Sequence, residues 1–199
     1  MSEHERRLIL ASSSPRRQRL LHEEGFDFDL AIPHVHEAAR PDETPEAQAL
    51  RLALEKARAV AARAAPDRCV LAADTLVVLG ANVFGKPRDE AEAAQMLLRL
   101  AGRSHRVLTG FALLVSGTDL CEMGVEESTV RMRSVDPEEA RAYAASGEPL
   151  DKAGAYAVQG EGGRFVEGIH GSRSNVIGLP LEAVLPRLEK FGVRARCPS

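Results

Sequence analysis

The sequence predicts an α/β or α+β fold, built as one domain over residues 1–199 with two lobes around a central cleft. Three observations lead there. Strand-like and helical segments alternate along the first half of the chain. In the middle, two long strand-like runs are joined by a short turn, which makes the sheet mixed instead of wholly parallel. No repeat, linker or low-complexity tract divides the sequence. With 199 residues, 44% of them hydrophobic, the chain is long enough to bury roughly 70% of its unfolded surface without disulfide or metal staples.

The elements follow in order. Residues 8–12 read as a strand and 15–24 as a helix. Ser14 suits the N-cap of that helix and Pro15 its first position. Residues 28–32 are a short strand, 33–45 a loop, and 46–65 a long Ala/Leu/Arg helix with apolar residues at helical spacing. The run "CVLAADTLVVL", 69–79, is nearly continuous in apolar residues, the pattern of a central strand. Residues 89–100 are helical and stop before Gly102. Two strands, 105–115 and 122–133, flank the turn signal Ser116-Gly117-Thr118-Asp119. "DPEE" at Asp136 opens another helix, which "SGEP" ends. Residues 156–159 and 164–169 look like strands, and "GLP" at Gly178 precedes a last helix, 181–191.

Bulk properties exclude several classes. A net charge of −3 carries no basic excess for coating nucleic acid. No apolar run approaches membrane-spanning length, and the polar stretch 1–7 leads into a strand, not a secretory core. Cys69, Cys121 and Cys197 are odd in number and far apart, so they suit a reducing, cytoplasmic setting, with Cys197 incidental in the tail. Only four of the 26 basic residues are lysines: Lys56, Lys86, Lys152 and Lys190. In a chain that writes Arg for general positive charge, each lysine is a place to look for a compact, rotatable point charge.

The chemistry concentrates in a few stretches. Arg16 and Arg17 fall in the first turn of a helix, its positive end, where cations are unwelcome. Either they are solvated, at a small cost, or an anion sits there and draws backbone N–H groups, serine hydroxyls and two guanidinium groups together. In the second case the arginines burden the empty protein and help only the complex. Asp74 is a single carboxylate in an apolar strand and must be paired, metal-bound or protonated. Lys56 has Leu52, Ala53 and Val60 at helical spacing, so it lies on or beside the apolar face. It either snorkels or meets an anion. "GANVFGKP", 80–87, has P-loop spacing, but Pro87 stands where a hydroxyl must hold magnesium, so its glycines read as a hairpin turn. His34 and His36 lack further soft ligands for zinc, whereas Glu37 offers hard oxygen to magnesium. In "GEPLDKAGAYAVQG", 147–160, the Asp151–Lys152 pair and Gln159 are either ordinary loop or a substrate wall, with the Gln159 amide facing a base edge.

Taken together, "LASSSPRR", "EKA", "AADTLVV", "GKPRDEAEAAQMLLRLAGRSHRVLTG", "YAASGEPLDKAGAYAVQG" and "GSRSNVIGLPL" resemble the Maf-like nucleoside triphosphate pyrophosphatases, in the family's order over residues 10–181. The resemblance implies a mixed-sheet fold related to the inosine triphosphate pyrophosphatases. It implies hydrolysis of a nucleoside triphosphate to the monophosphate and pyrophosphate, with Mg2+ or Mn2+. It puts Ser12, Arg16, Arg17, Lys56, Lys86 and Lys152 on substrate, Asp74 as the catalytic acid, and Glu37 with Asp74 beside the metal. "DKAGAYAVQG" is similar to the dTTP/UTP branch, in which Arg16, Thr75 and Gln159 correspond to specificity positions. The branch acting on 7-methyl-GTP lacks that pattern. His36 replaces a usually acidic residue and Arg173 a commonly aromatic one. A homodimer is implied only by the resemblance. A non-catalytic nucleotide-binding regulator of cell division is the alternative from another class, and it has no need of Asp74 with Glu37.

Overall fold

The computed structural model describes residues 5–196; the expectations for Cys197 and for the first four residues lie outside the described part. Its strands are β1 (Leu8–Leu10), β2 (Phe28–Leu30), β3 (Cys69–Leu79), β4 (Asn82–Phe84), β5 (Ser104–Val115), β6 (Cys121–Met132) and β7 (Val166–His170). They form one seven-stranded sheet in the order β2-β1-β3-β5-β6-β7, with β4 paired to β3. The helices are α1 (Pro15–Glu23), α2 (Pro45–Ala61), α3 (Glu90–Leu100), α4 (Pro137–Ala144), α5 (Arg173–Ile177) and α6 (Leu181–Lys190). β1 runs parallel to β2 and to β3, while β3–β4 and β6–β7 are antiparallel. The five residues between β5 and β6 are too few for a parallel crossover, so that pair is antiparallel too. The expected mixed α/β architecture is therefore present.

Two compact units make up the chain. The first takes the described residues up to Asp74, then Thr109–Glu126, then the segment from Gly178 onward. The second takes Thr75–Leu108 and Glu127–Ile177. In the first unit, Ala53, Ala57 and Val60 of α2 bury against Ile9, Val70, Ala72, Ala112 and Leu114 of the strands. Small residues on both sides let the helix come close. Gly110 sets the limit: a Cβ there would lie 2.3 Å from the Ala49 carbonyl oxygen of α2. The second unit packs Val77, Phe84, Leu97, Leu100, Met132, Tyr143 and Phe165 into its own core.

Several expectations need correction. Residues 156–159, of which 158–159 are a turn, form no strand. Gly154 and Ala155 just before them sit at φ 72° and 58°, in the left-handed region, so the chain is already reversing direction. Residues 161–165 form a 3-10 turn, and the strand expected from 164 begins at Val166. The helix expected to reach 65 ends at Ala61, and α5 was not expected. The "GANVFGKP" stretch is a β3–β4 hairpin with Gly80 at φ 59°. A phosphate-binding loop would lead from strand to helix, which the antiparallel pairing rules out.

Candidate functional site

The stretch after β1 positions the first group of side chains. Ser14 occupies the N-cap of α1, but its side chain caps nothing; the Ser12 hydroxyl instead accepts the Ser14 amide at 3.1 Å. This is a serine turn closing two residues ahead of the helix. Ser12 is buried, and the same hydroxyl accepts from Arg17 Nη1 at 3.3 Å. Arg17 Nε donates to the Gly178 carbonyl oxygen at 2.7 Å. Burial pushes the Arg17 guanidinium below its ordinary value, with Asp74 and Glu37 acting in the opposite sense. No acidic side chain stands in the first turn of α1 to neutralise its positive end. The sequence left open whether the two arginines float in solvent, and for Arg17 the answer is no.

The second group lies across α2, β3 and the stretch between β2 and α2. Lys56 and Asp74 are both buried. Asp74 follows Val70 and Ala72 at the two-residue period of β3, and those residues pack on α2, so its carboxylate faces that helix. Lys56 Nζ donates to Asp74 Oδ1 at 2.6 Å and pairs with Glu37 Oε1, also at 2.6 Å. One ammonium thus holds two carboxylates, one from a rigid strand and one from an irregular stretch whose side chain is 54% exposed. Both open questions close together: the apolar-face lysine meets an anion, and the strand acid is paired. Among the described residues, no group of three or more His, Cys, Asp or Glu is arranged to hold a metal by itself. His34 and His36 are exposed.

The remaining predicted residues belong to the second unit. Thr75 points to the face of β3 opposite Asp74, the face of Val77. Gly154 packs there so closely that a Cβ on it would lie 3.0 Å from both Val77 methyl groups. Thr75 therefore shares a face with the loop that carries Lys152 and Gln159. Lys152 does not reach outward: its ammonium donates to the Glu148 carbonyl oxygen at 2.5 Å and pairs with Asp151. Gln159 is exposed in its turn, and Lys86 is exposed just after β4.

Sequence reasoning missed Glu148. Its carboxylate accepts from the Tyr143 hydroxyl at 2.8 Å and from the amides of Glu161 at 3.0 Å and Gly162 at 3.1 Å. Gly160 leaves room for it, since a Cβ there would lie 2.5 Å from both carboxylate oxygens. Glu148 thus ties down the turn that presents Gln159. Nearby, buried His105 has Nε2 2.8 Å from the Tyr156 hydroxyl. Burial pushes the His105 pKa down to about 4.

Comparison with known proteins adds the following. A family model described as Maf-like protein matches residues 7–191. The dTTP/UTP pyrophosphatase of Desulfotalea psychrophila is 49% identical over 186 residues, 94% of this chain and 95% of that protein. That of Symbiobacterium thermophilum is 49% identical over 185 residues, 93% and 94% of the two chains. That of Myxococcus xanthus is 48% identical over 186 residues, 94% and 93%. A solved nucleoside-triphosphatase / dITP/XTP pyrophosphatase from Mycobacterium abscessus overlays with a TM-score of 0.38 at 17% identity, over 72% of this chain and 96% of that one, too slight an overlap to argue from.

Proposed function

The chain belongs to the Maf-like family, and from that premise we propose that it hydrolyses dTTP and UTP to the nucleoside monophosphate and pyrophosphate. One observation carries the reading beyond family likeness: the buried Lys56 ammonium gathers Glu37 and Asp74 at one point, in the unit that also holds Ser12 and Arg17. A protein that only bound a nucleotide would gain nothing from carboxylates aimed at a triphosphate.

In this reading water attacks the α-phosphorus, the bond from that phosphorus to the oxygen bridging the α and β phosphates breaks, and pyrophosphate leaves. Asp74 orients the water and accepts its proton. Arg16, Arg17, Lys56 and Lys86 stabilise the negative charge that gathers on the leaving group. Glu37 and Asp74 are the residues that would hold a divalent cation. Their chemistry fits Mg2+ or Mn2+, hard ions often bound through one or two carboxylates with substrate phosphates completing the shell. That group supplies further charge neutralisation at the phosphate oxygens when bound. Thr75 and Gln159, with Arg16, read the pyrimidine base. Family likeness puts Lys152 among the substrate residues, although its ammonium is engaged inside its own turn.

Pyrophosphate release from dTTP, UTP, CTP, GTP and 7-methyl-GTP with Mg2+ tests the proposal. The expected result is stoichiometric pyrophosphate from dTTP and UTP. Orthophosphate as the first product, or nucleotide binding without turnover, overturns it. The same reading has the enzyme cytoplasmic and, by family likeness, homodimeric, which sedimentation of the purified chain checks. Among the described residues no helix is long and apolar enough to cross a membrane.

A further inference from the structure

Glu37 poses a positioning problem. Residues 31–44, between β2 and α2, contain no helix or strand, and the Glu37 side chain is half-exposed. An irregular stretch of this length has many conformations open to it. Yet the Glu37 carboxylate must stand beside Asp74, which a central strand holds fixed.

One guanidinium of α2, that of Arg51, makes most of the contacts that fasten the stretch to the helix. Arg51 Nε donates to Glu43 Oε1 at 2.6 Å and Nη2 donates to Glu43 Oε2 at 2.7 Å, a two-pronged pair. Nη2 also donates to the carbonyl oxygen of Ala38, the residue after Glu37, at 3.1 Å. Nη1 reaches Glu55 Oε2 at 3.2 Å, and the far side of Glu55 receives Arg40 Nη2 at 2.8 Å. The Arg51 and Glu43 side chains are only 14% and 10% exposed, so the pair is largely shielded from solvent. The pairing pulls Glu43 below the usual carboxylate range and raises Arg51. Arg51 and Lys56 stand on the same helix. The chain around Glu37 is therefore gripped twice by α2, through its carboxylate and through the next carbonyl.

We propose that Arg51 is a positioning residue for the reaction, whose fork holds residues 38–43 against α2 so that the Glu37 carboxylate meets Lys56 and Asp74. This rests on the reading of Glu37 given under the proposed function. Lysine cannot replace it, because a single ammonium cannot bridge both oxygens of Glu43 and the Ala38 carbonyl in one plane.

The test compares Arg51→Ala, Arg51→Lys and Glu37→Gln singly, and Arg51→Ala with Glu37→Gln together, all in the full chain. Two quantities are read. The first is amide hydrogen exchange of residues 37–43 in the nucleotide-free protein. The second is the Mg2+ concentration for half-maximal pyrophosphate release from dTTP. Both Arg51 variants should exchange at least tenfold faster in that segment, with the rest of α2 unchanged. Both should need about tenfold more Mg2+, while the KM for dTTP at saturating Mg2+ moves less than threefold. In the Glu37→Gln background Arg51→Ala should add almost nothing, since the group it positions is gone. Additive losses, or unchanged exchange in either Arg51 variant, overturn the positioning role. If Glu37→Gln itself leaves the Mg2+ requirement unaltered, the reading of Glu37 fails first and this role falls with it.

Discussion

The Lys56 ammonium between Asp74 and Glu37 is a buried charge, and buried charges survive only when paired and hydrogen-bonded. Replacing one partner therefore has two effects that must be read apart. Asp74→Asn leaves Lys56 its contact with Glu37, so the protein should fold and bind nucleotide, while turnover falls about 10²-fold or more, the range for a lost general base. Near-normal turnover in the folded variant removes Asp74 from the mechanism. Arg17 behaves differently from what its helix position suggests. The Gly178 carbonyl and the Ser12 hydroxyl accept from it in the empty protein, so its removal strands two acceptors, although burial disfavours its charge. Arg17→Gln should lower the ligand-free melting temperature by several degrees and also shrink the shift given by dTTP or pyrophosphate. A thermal melt with and without ligand separates the two. Gln159→Ala should lower turnover of dTTP and UTP more than that of GTP, and equal losses on all three would make the side chain structural. At this scale the sequence was most readable where burial forces a partner: an acid in an apolar strand and a lysine on an apolar helix face have few ways to be satisfied. Glu148 was not readable, because its ligands are amides of Glu161 and Gly162, a distance along the chain that no local pattern encodes.

Elements with strong periodicity matched their expected bounds. β3 spans the apolar run without change, and α3 starts after Asp89, whose carboxylate accepts the Glu92 amide at the N-cap. α2 shows the limit of that approach. Residues 62–65 have the composition of a helix, yet Ala62, Arg63 and Ala65 are exposed, and without packing the helix stops. The strand expected at 156–159 failed for a related reason, since backbone reversal at Gly154 and Ala155 overrides local composition. α2 carries Lys56 and Arg51, so its seat on β5 sets the site. Gly110→Ala should be among the most damaging single changes in the chain. A Cβ 2.3 Å from the Ala49 carbonyl oxygen must push α2 away from the sheet, and the backbone on both sides cannot yield. The expected result is a melting temperature more than ten degrees lower, or insoluble protein, with Gly85→Ala, where a Cβ meets open space, as the control. Equal melting of the two variants would contradict the close packing.

For the molecule as a whole, acid stability should carry the mark of His105. Its folded pKa is depressed from 6.5 to about 4 by burial, so between those values the unfolded chain binds more protons. Stability is then fully present above pH 6.5 and declines as pH falls toward 4, by up to about 1.4 kcal/mol per pH unit. Denaturant titrations of wild type and His105→Phe across that window should show a shallower decline in the variant; parallel curves would mean that other groups set the acid limit. The first unit also joins distant parts of the chain. The Arg6 amide donates to the Gly192 carbonyl oxygen, Arg6 Nη1 to that of Phe191, Arg17 Nε to that of Gly178, and the Arg196 amide to that of Gly25. On the ribosome, residues 6–25 thus wait for residues 178–196. At ~5–20 residues per second, the nascent chain spends roughly 5–20 seconds with Ser12, Arg17, Lys56 and Asp74 already synthesised but the carbonyl that anchors Arg17 not yet made. Through that interval the first unit is an unfinished surface, open to chaperones and proteases, and it closes only with the segment that leads into α6.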